Sequence, residues 1–271
     1  MADRAPETTQ GRVGRWALTA VAVVGFIYLF IPIATIIVFS FNDPDGRFNL
    51  VWSGFTLDNW LHPFANEGLT DAMVYSLRIA VLASVVATIL GSLIAIALVR
   101  YRFRGSVIVG LLLVLPLTTP EIVLGSSLAT LFFDVGWDKS FRTILIAHIL
   151  FCTSFVALTV KARIRGFDWS LEDAAMDLGA TPSRTFRKIT MPLITPGVLA
   201  AALLSFALSI DDYIITQFNA GPEDKTFPLQ IFDNYQRELP PQIDVLATMI
   251  LLVSVLLLLG GVVFRRRLEE A

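Results

Sequence analysis

The chain has 271 residues, of which 55% are hydrophobic and only 16% are charged, with a formal net charge of −2. A soluble domain of this length cannot bury so large an apolar fraction, so the composition favours an integral membrane protein. The single cysteine, Cys152, excludes a disulfide framework and a cysteine-based metal cluster.

Six apolar runs are long enough to cross a bilayer, because a spanning helix needs about 20 residues. They are residues 16–41, 79–99, 105–133, 143–160, 193–210 and 245–264. Helices are expected, since lipid offers the backbone no hydrogen-bond partners. The sequence therefore predicts an all-α integral membrane protein with six transmembrane helices, in one domain over residues 15–271 that follows an N-terminal tail at 1–14.

Basic residues predict the orientation of these helices. Fifteen of the 21 Lys and Arg lie before the first run, between the second and third, between the fourth and fifth, and after the sixth, against five in the other loops. By the positive-inside rule, both termini and the loop at 166–192 are cytoplasmic. The loops on the other side contain twelve Asp and Glu, a charge that attracts cationic solutes.

The third run contains Pro116 and Pro120, followed by Glu121. Prolines of this kind predict a broken helix, and broken helices at membrane depth often line substrate sites. A charge at the centre of a spanning helix costs at least about 2.5 kcal/mol, so Glu121 should face a cavity or a partner. The alternative is a structural ion pair, for example with Arg78 at the end of the second run, or an interhelical hydrogen bond.

Other polar residues lie within or beside the fourth and fifth runs. Asp211 and Asp212 end the fifth run. They either line the same substrate path as Glu121 or reach the water outside the membrane. His148 lies inside the fourth run and is expected to be a hydrogen-bonded interior residue rather than a ligand. Cys152, four residues later, is expected to pack in the core.

The cytoplasmic loop at 166–192 is expected to form a helix–glycine–helix elbow, which we call the elbow. Ser170 and Asp173 have the spacing of a capping box at the start of its first helix. Gly179 suits a left-handed stop at the end of that helix. The expected apolar face of the first helix comprises Leu171, Ala174, Ala175 and Leu178.

The second helix of the elbow is expected to begin with Thr181 as its cap and Pro182 at its first position, and to end at Pro192. Arg187 and Lys188 lie in its last turn, where cations complement the helix dipole. On shape alone, an amphipathic elbow that rests on lipid headgroups is an equal alternative to a protein-docking elbow.

The spacing of the elbow resembles the EAA loop of ABC importer permeases. Asp173-Ala174-Ala175 precede Gly179 by the family's interval, and Ile189 and Pro192 are in register after it, although Asp173 and Met191 replace the family's Glu and Leu. The resemblance implies that the elbow docks on a separate ATPase subunit. The implied coupling residues are Glu172, Asp173, Ala174, Ala175, Gly179, Ile189 and Pro192.

The chain has no phosphate-binding Gly-x4-Gly-Lys-Ser/Thr loop, no His-Glu-x-x-His and no Gly-x-Ser-x-Gly. The prediction is therefore a non-catalytic permease subunit that binds no cofactor of its own. ATP and magnesium would bind to the partner ATPase.

A narrower resemblance rests on residues 116–125, 208–213 and 221–231, which are similar to the PotC-like family of spermidine/putrescine permease subunits over roughly residues 70–264. It implies the type I ABC importer (MetI-like) permease fold, in the bacterial inner membrane and without a nucleic-acid partner. The implied partners are a homologous PotB-like permease, two copies of a PotA-like ATPase and a PotD-like extracytoplasmic binding protein. The implied substrate is a polyamine, and the candidate path residues are Glu121, Asp211, Asp212 and Tyr213.

The sequence is compatible with three alternatives. The same type of permease carries other small solutes. An ion-coupled secondary transporter would use Glu121 to carry a proton. A membrane-embedded enzyme would have to use the acidic dyad Asp211 and Asp212, without an accompanying nucleophile–base set.

Overall fold

A computed structural model of the protein describes residues 9–101, 103–235 and 237–270, with side chains described at all of these except 9–14 and 257–270. Two parts of the sequence predictions lie outside the described residues. They are residues 1–8 of the predicted tail and Arg102, one of the basic residues that predict the orientation. The rest of that tail, from Thr9 onward, belongs to the first helix.

Within the described residues the chain forms twelve α-helices and one π-helical turn, at Phe186–Thr190. The α-helices are α1 (Thr9–Phe39), α2 (Asp58–Leu61), α3 (Glu67–Arg100), α4 (Ser106–Thr118), α5 (Glu121–Asp134), α6 (Phe141–Ile164), α7 (Ser170–Asp177), α8 (Pro182–Thr185), α9 (Met191–Asp211), α10 (Ile214–Asn219), α11 (Phe227–Asn234) and α12 (Gln242–Glu270). Extended pairing in these ranges is limited to two isolated bridges. The all-α fold class is confirmed.

Four segments are long and apolar enough to cross a membrane: Arg15–Phe39, Glu67–Arg100, Phe141–Ile164 and Pro182–Asp211. The pair α4 and α5 adds a fifth span if the two bent helices are counted together. Within the part of α12 whose side chains are described, the apolar stretch Gln242–Leu256 is shorter than a full span. The structure thus accounts for four or five of the six predicted spans by length and composition.

The third apolar run is broken, as its prolines predict. α4 and α5 meet at an angle of 110°. Thr119 between them is extended, with φ −79° and ψ 131°, and Pro120 precedes α5. A proline disfavours helical geometry in the residue before it, which explains why the helix stops at this point. Glu121 becomes the first residue of α5, next to the bend.

The chain divides into two compact units, one formed by Gly68–Asp233 and the other by the segments on either side of it. In the central unit, α6 packs against α9, and α5 packs against α10. His148 and Cys152 on α6 are both buried, as predicted. Gly91 on α3 allows close approach to α6, because a Cβ at this position would lie 2.7 Å from Val156 Cγ1.

In the terminal unit, buried amide side chains organise the loop after α1. Asn42 Nδ2 donates to Asn49 Oδ1 at 2.7 Å, and Asn49 Nδ2 donates to Asp244 Oδ2 on α12 at 2.7 Å. Trp60 stacks on Phe41, with ring centroids 5.4 Å apart. These contacts hold the loop against the start of α12, and they satisfy polar groups that would be costly to bury alone.

Candidate functional site

The elbow has the helix–glycine–helix shape that the sequence predicts. Gly179 follows α7 with φ +87°, a left-handed conformation that glycine adopts without a steric penalty. The Ala180 N–H then donates to the Ala175 carbonyl at 3.0 Å, which closes the end of α7. Thr181 is extended, and Pro182 begins α8.

The predicted capping box is wrong. Ser170 is the first residue of α7 rather than its cap, and no side-chain capping hydrogen bond forms there. Instead, the Ser170 backbone N–H donates to Asp168 Oδ1 at 3.0 Å. Hydrogen bonding to Ser170, first its side chain and then its backbone, lowers the pKa of Asp168. A carboxylate is the stronger acceptor, so it takes the capping role from the serine hydroxyl.

The predicted end of the second elbow helix at Pro192 is also wrong. The π-helical turn at Phe186–Thr190 continues directly into α9, and the Met191 N–H donates to the Phe186 carbonyl. In a regular α-helix the Pro192 ring would clash with the carbonyl four residues earlier. The wider π-turn relieves this clash, so the chain stays helical from α8 to Asp211.

The apolar face of α7 is exposed. Leu178 is 90% exposed and Leu171 is 45% exposed. Ala174 is exposed and Ala175 is half-buried, whereas the acidic Asp173 points to the surface beside them. Exposed apolar side chains grouped in this way are typical of interaction sites, so this face is the candidate contact surface of the elbow.

The opposite side of α7 is tied to the interior. Glu172 is only 3% exposed, and its Oε2 lies 2.7 Å from Arg100 Nη2 at the end of α3. Thr190 Oγ1 in the π-turn donates to Glu172 Oε1, and Ile189 beside it is half-buried. The sequence does not identify Arg100 as the partner of Glu172. The two residues are 72 positions apart, and the sequence predicts only that Arg100 lies on the cytoplasmic side.

Two of the four predicted path residues, Glu121 and Asp211, are exposed. Neither carboxylate makes an ion pair or hydrogen bond with another described residue, and neither does Arg78, which is also exposed. An ion pair between Glu121 and Arg78 is therefore absent from the described contacts. Both carboxylates are free to interact with a ligand or with another chain.

Asp212 has a different environment from its neighbour. Its Oδ2 accepts from the Thr216 N–H at 2.8 Å and from Thr216 Oγ1 at 2.8 Å, at the start of α10. It also lies 3.3 Å from His148 Nε2, and both side chains are nearly inaccessible. His148 Nδ1 lies 2.7 Å from Ser209 Oγ on α9. The structure thus places Asp212 in a buried network that joins α6, α9 and α10.

Tyr213 lies in the break between α9 and α10. Its ring packs on Phe232 of α11, with centroids 4.9 Å apart and planes inclined by 42°. Phe232 is 56% exposed, and the next residue, Asp233, forms a 2.7 Å ion pair with Lys225. Phe232 is an aromatic neighbour that sequence reasoning missed, since only the position of α11 brings it to Tyr213.

The helices that contain Glu121 and Asp211 meet through α10. Asn219 Nδ2 donates to the Gly125 carbonyl on α5 at 3.2 Å, and a Cβ on Gly125 would lie 3.2 Å from Ile215 Cα. The bend before α5 and the break after α9 therefore belong to one packed cluster. In the described part of the chain, no group of three or more His, Cys, Asp and Glu side chains is placed to hold a metal ion.

Comparison with known proteins places the chain in a family. Residues 87–270 match the family described as binding-protein-dependent transport system inner membrane component. The chain is 39% identical over 241 residues to the spermidine/putrescine transport system permease protein PotC of Escherichia coli (strain K12), covering 89% of this chain and 90% of that protein. It is 38% identical over 238 residues to the putrescine transport system permease protein PotI of the same strain, covering 85% and 84%.

A solved structure supports the fold. A chain of a bacterial ABC transporter involved in the import of the acidic polysaccharide alginate matches with a TM-score of 0.70 and 16% identity, covering 95% of this chain and 99% of that one. At this identity the likeness bears on the fold alone. The chain therefore belongs to the family of binding-protein-dependent transport system inner membrane components, and it is a multi-pass protein of the cytoplasmic membrane homologous to PotC and PotI.

Proposed function

We propose that this chain is the permease subunit of a type I ABC importer that carries polyamines into the cell. The observation that carries the proposal is its 38–39% identity, over most of both chains, to permeases named for spermidine and putrescine. The partners are a PotB-like permease, two copies of a PotA-like ATPase and a PotD-like binding protein. ATP and magnesium bind to the ATPase, and the chain itself supplies the path and the coupling.

The six-helix topology belongs to this proposal. α1, α3, the bent pair α4 and α5, α6, the helix from Pro182 to Asp211, and α12 are its spans, with both termini in the cytoplasm. The uneven distribution of Lys and Arg supports this orientation. It places the elbow on the side where ATP is available.

The exposed face of α7 is the docking surface for the ATPase. Leu171, Ala174 and Leu178 supply apolar contact area, and small alanine side chains permit close approach of the partner. Asp173, Gly179 and Pro192 are exposed on the same elbow, whereas Glu172 and Ile189 support it from within. Closure of the ATPase dimer on ATP displaces this surface, and the displacement tilts the spanning helices.

The path for the substrate runs past Glu121 and Asp211. A polyamine carries several ammonium groups, which need carboxylates or aromatic faces as they leave water. The two exposed carboxylates supply the charge, and Tyr213 with Phe232 supplies an aromatic surface. Asp212 contributes only indirectly, since its oxygens already interact with His148 and Thr216.

Uptake by the complete complex in proteoliposomes tests the proposal. The binding protein is loaded in turn with spermidine, putrescine, an amino acid, a sugar and ferric iron, and uptake is measured with ATP inside the vesicles. ATP-dependent uptake of the polyamines alone is expected. Uptake of another solute without polyamine uptake would refute the proposal that the substrate is a polyamine. Uptake that persists without ATP and stops when a proton gradient is removed would refute the ABC mechanism.

A further inference from the structure

A side-chain contact attaches the elbow to α3, although the two segments are far apart along the chain. Arg100 is the last residue of α3, and its guanidinium contacts Glu172 in the first turn of α7 through two nitrogens, at 2.7 Å and 3.3 Å. Thr190 Oγ1 donates to the same carboxylate. The contact therefore joins three segments: the end of α3, the start of α7 and the π-turn before α9.

The two helix ends favour this pair. A cation at the C-terminus of α3 and an anion in the first turn of α7 each complement a helix dipole. The Arg100 guanidinium also lies 5.6 Å from the centroid of the Trp169 ring, which immediately precedes α7. Trp169 packs on Phe167 and on the core of the central unit, so the arginine is held between a carboxylate and an aromatic face.

Burial distinguishes Glu172 from the other acids of the elbow. The Glu172 side chain is 4% exposed, whereas Asp173 and Asp177 are exposed on the same helix. A buried carboxylate that loses its partner is strongly unfavourable, so the pair resists separation when the elbow is pushed. The surface that meets the ATPase and the contact that holds the elbow lie on opposite sides of α7.

We propose that Arg100, Glu172 and Thr190 are positioning residues that make the elbow and the cytoplasmic end of α3 move as one body. This inference rests on the proposed coupling to an ATPase. A displacement of α7 then reaches the membrane by two routes. One route passes through the continuous helix into α9, and the other passes through the ion pair into α3. Without the ion pair, α7 moves against α3, and ATP hydrolysis drives less transport.

The test uses the complete complex with Glu172→Gln, Arg100→Gln and the charge-swapped pair Arg100→Glu with Glu172→Arg. The quantity measured is uptake per ATP hydrolysed. Each single variant is expected to lower this ratio about tenfold, a typical strength of coupling between two sites, and the swapped pair is expected to recover part of it. Arg104→Gln is the matched control, because Arg104 is an exposed arginine in the same cytoplasmic connection, and it should keep the wild-type ratio.

Three results separate this inference from its alternatives. A wild-type ratio in both single variants would overturn it. If the charge variants fail to assemble with the ATPase, Thr190→Val keeps both charges and the side-chain shape, and a wild-type ratio in that variant would also overturn it. A wild-type complex without ATP-dependent uptake would refute the proposed function instead, because the inference concerns only differences between variants of a working complex.

Discussion

Replacement of Gly179 by alanine should weaken coupling through backbone strain alone. At φ +87° an L-residue pays roughly 1–2 kcal/mol that glycine avoids. A Cβ at this position meets nothing within 4 Å, so no clash inside the chain adds to that cost. Since about 1.4 kcal/mol is a factor of ten, the native elbow loses about one order of magnitude in population relative to alternatives in which Gly179 is not left-handed.

The assay is ATP-dependent uptake and ATP hydrolysis by the reconstituted complex. Gly179→Ala should lower uptake more than hydrolysis, and Gly179→Asn should be milder, because asparagine tolerates the left-handed region better than alanine does. Gly166→Ala is the matched control. Gly166 lies in the same cytoplasmic segment, has open space around it and has no positive φ. Equal behaviour of the alanine variants at positions 166 and 179 would refute the reasoning.

Three other substitutions have defined outcomes. Glu121→Gln should raise the KM for polyamine uptake by about 10-fold, since a hydrogen bond to a charged group contributes about 1.5–3 kcal/mol; an unchanged KM would remove Glu121 from the path. His148→Phe keeps an aromatic ring but loses both nitrogens, so it should lower the Tm of the purified complex by leaving Asp212 poorly paired, and an unchanged Tm would contradict this role. Gly91→Ala should lower the Tm by destabilising the α3–α6 contact by about 1–3 kcal/mol, because the new Cβ would also lie 2.8 Å from Val156 Cβ and 2.9 Å from the Ala157 backbone nitrogen; an unchanged Tm would contradict this close packing.

Local signals in the sequence were sufficient for much of the elbow and for the broken helix. Gly179, Pro182 and Pro120 each restrict the backbone within one or two residues, so their effects are readable without knowledge of the rest of the chain. The interior position of His148 was also predictable, because a lone polar ring in an apolar run needs internal partners. These features depend on sterics and on solvation, which act over short distances.

The predictions that failed involve either competing local structures or contacts between residues far apart in the sequence. Asp168 and Ser170 are both good capping residues two positions apart, and propensity does not decide which oxygen is used. Pro192 is compatible with a helix end and with a π-turn, since the wider turn is set by how the following helix packs. The contact of Arg100 with Glu172 joins residues 72 positions apart and leaves no periodic signal.

Burial, rather than charge, separates the acids that support the fold from those available to a substrate. Glu172 lies in the cytoplasmic elbow and Asp212 follows an apolar run, and the structure gives each carboxylate several internal hydrogen-bond partners. Glu121 and Asp211 lie within or at the end of apolar runs, yet they are exposed and make no contact with another described charged group. An ammonium group competes poorly for a carboxylate that is already bonded to three donors, whereas a free carboxylate offers all its lone pairs. In the proposed path, Asp211 therefore binds the cation, and the adjacent Asp212 holds the helix break that presents Asp211.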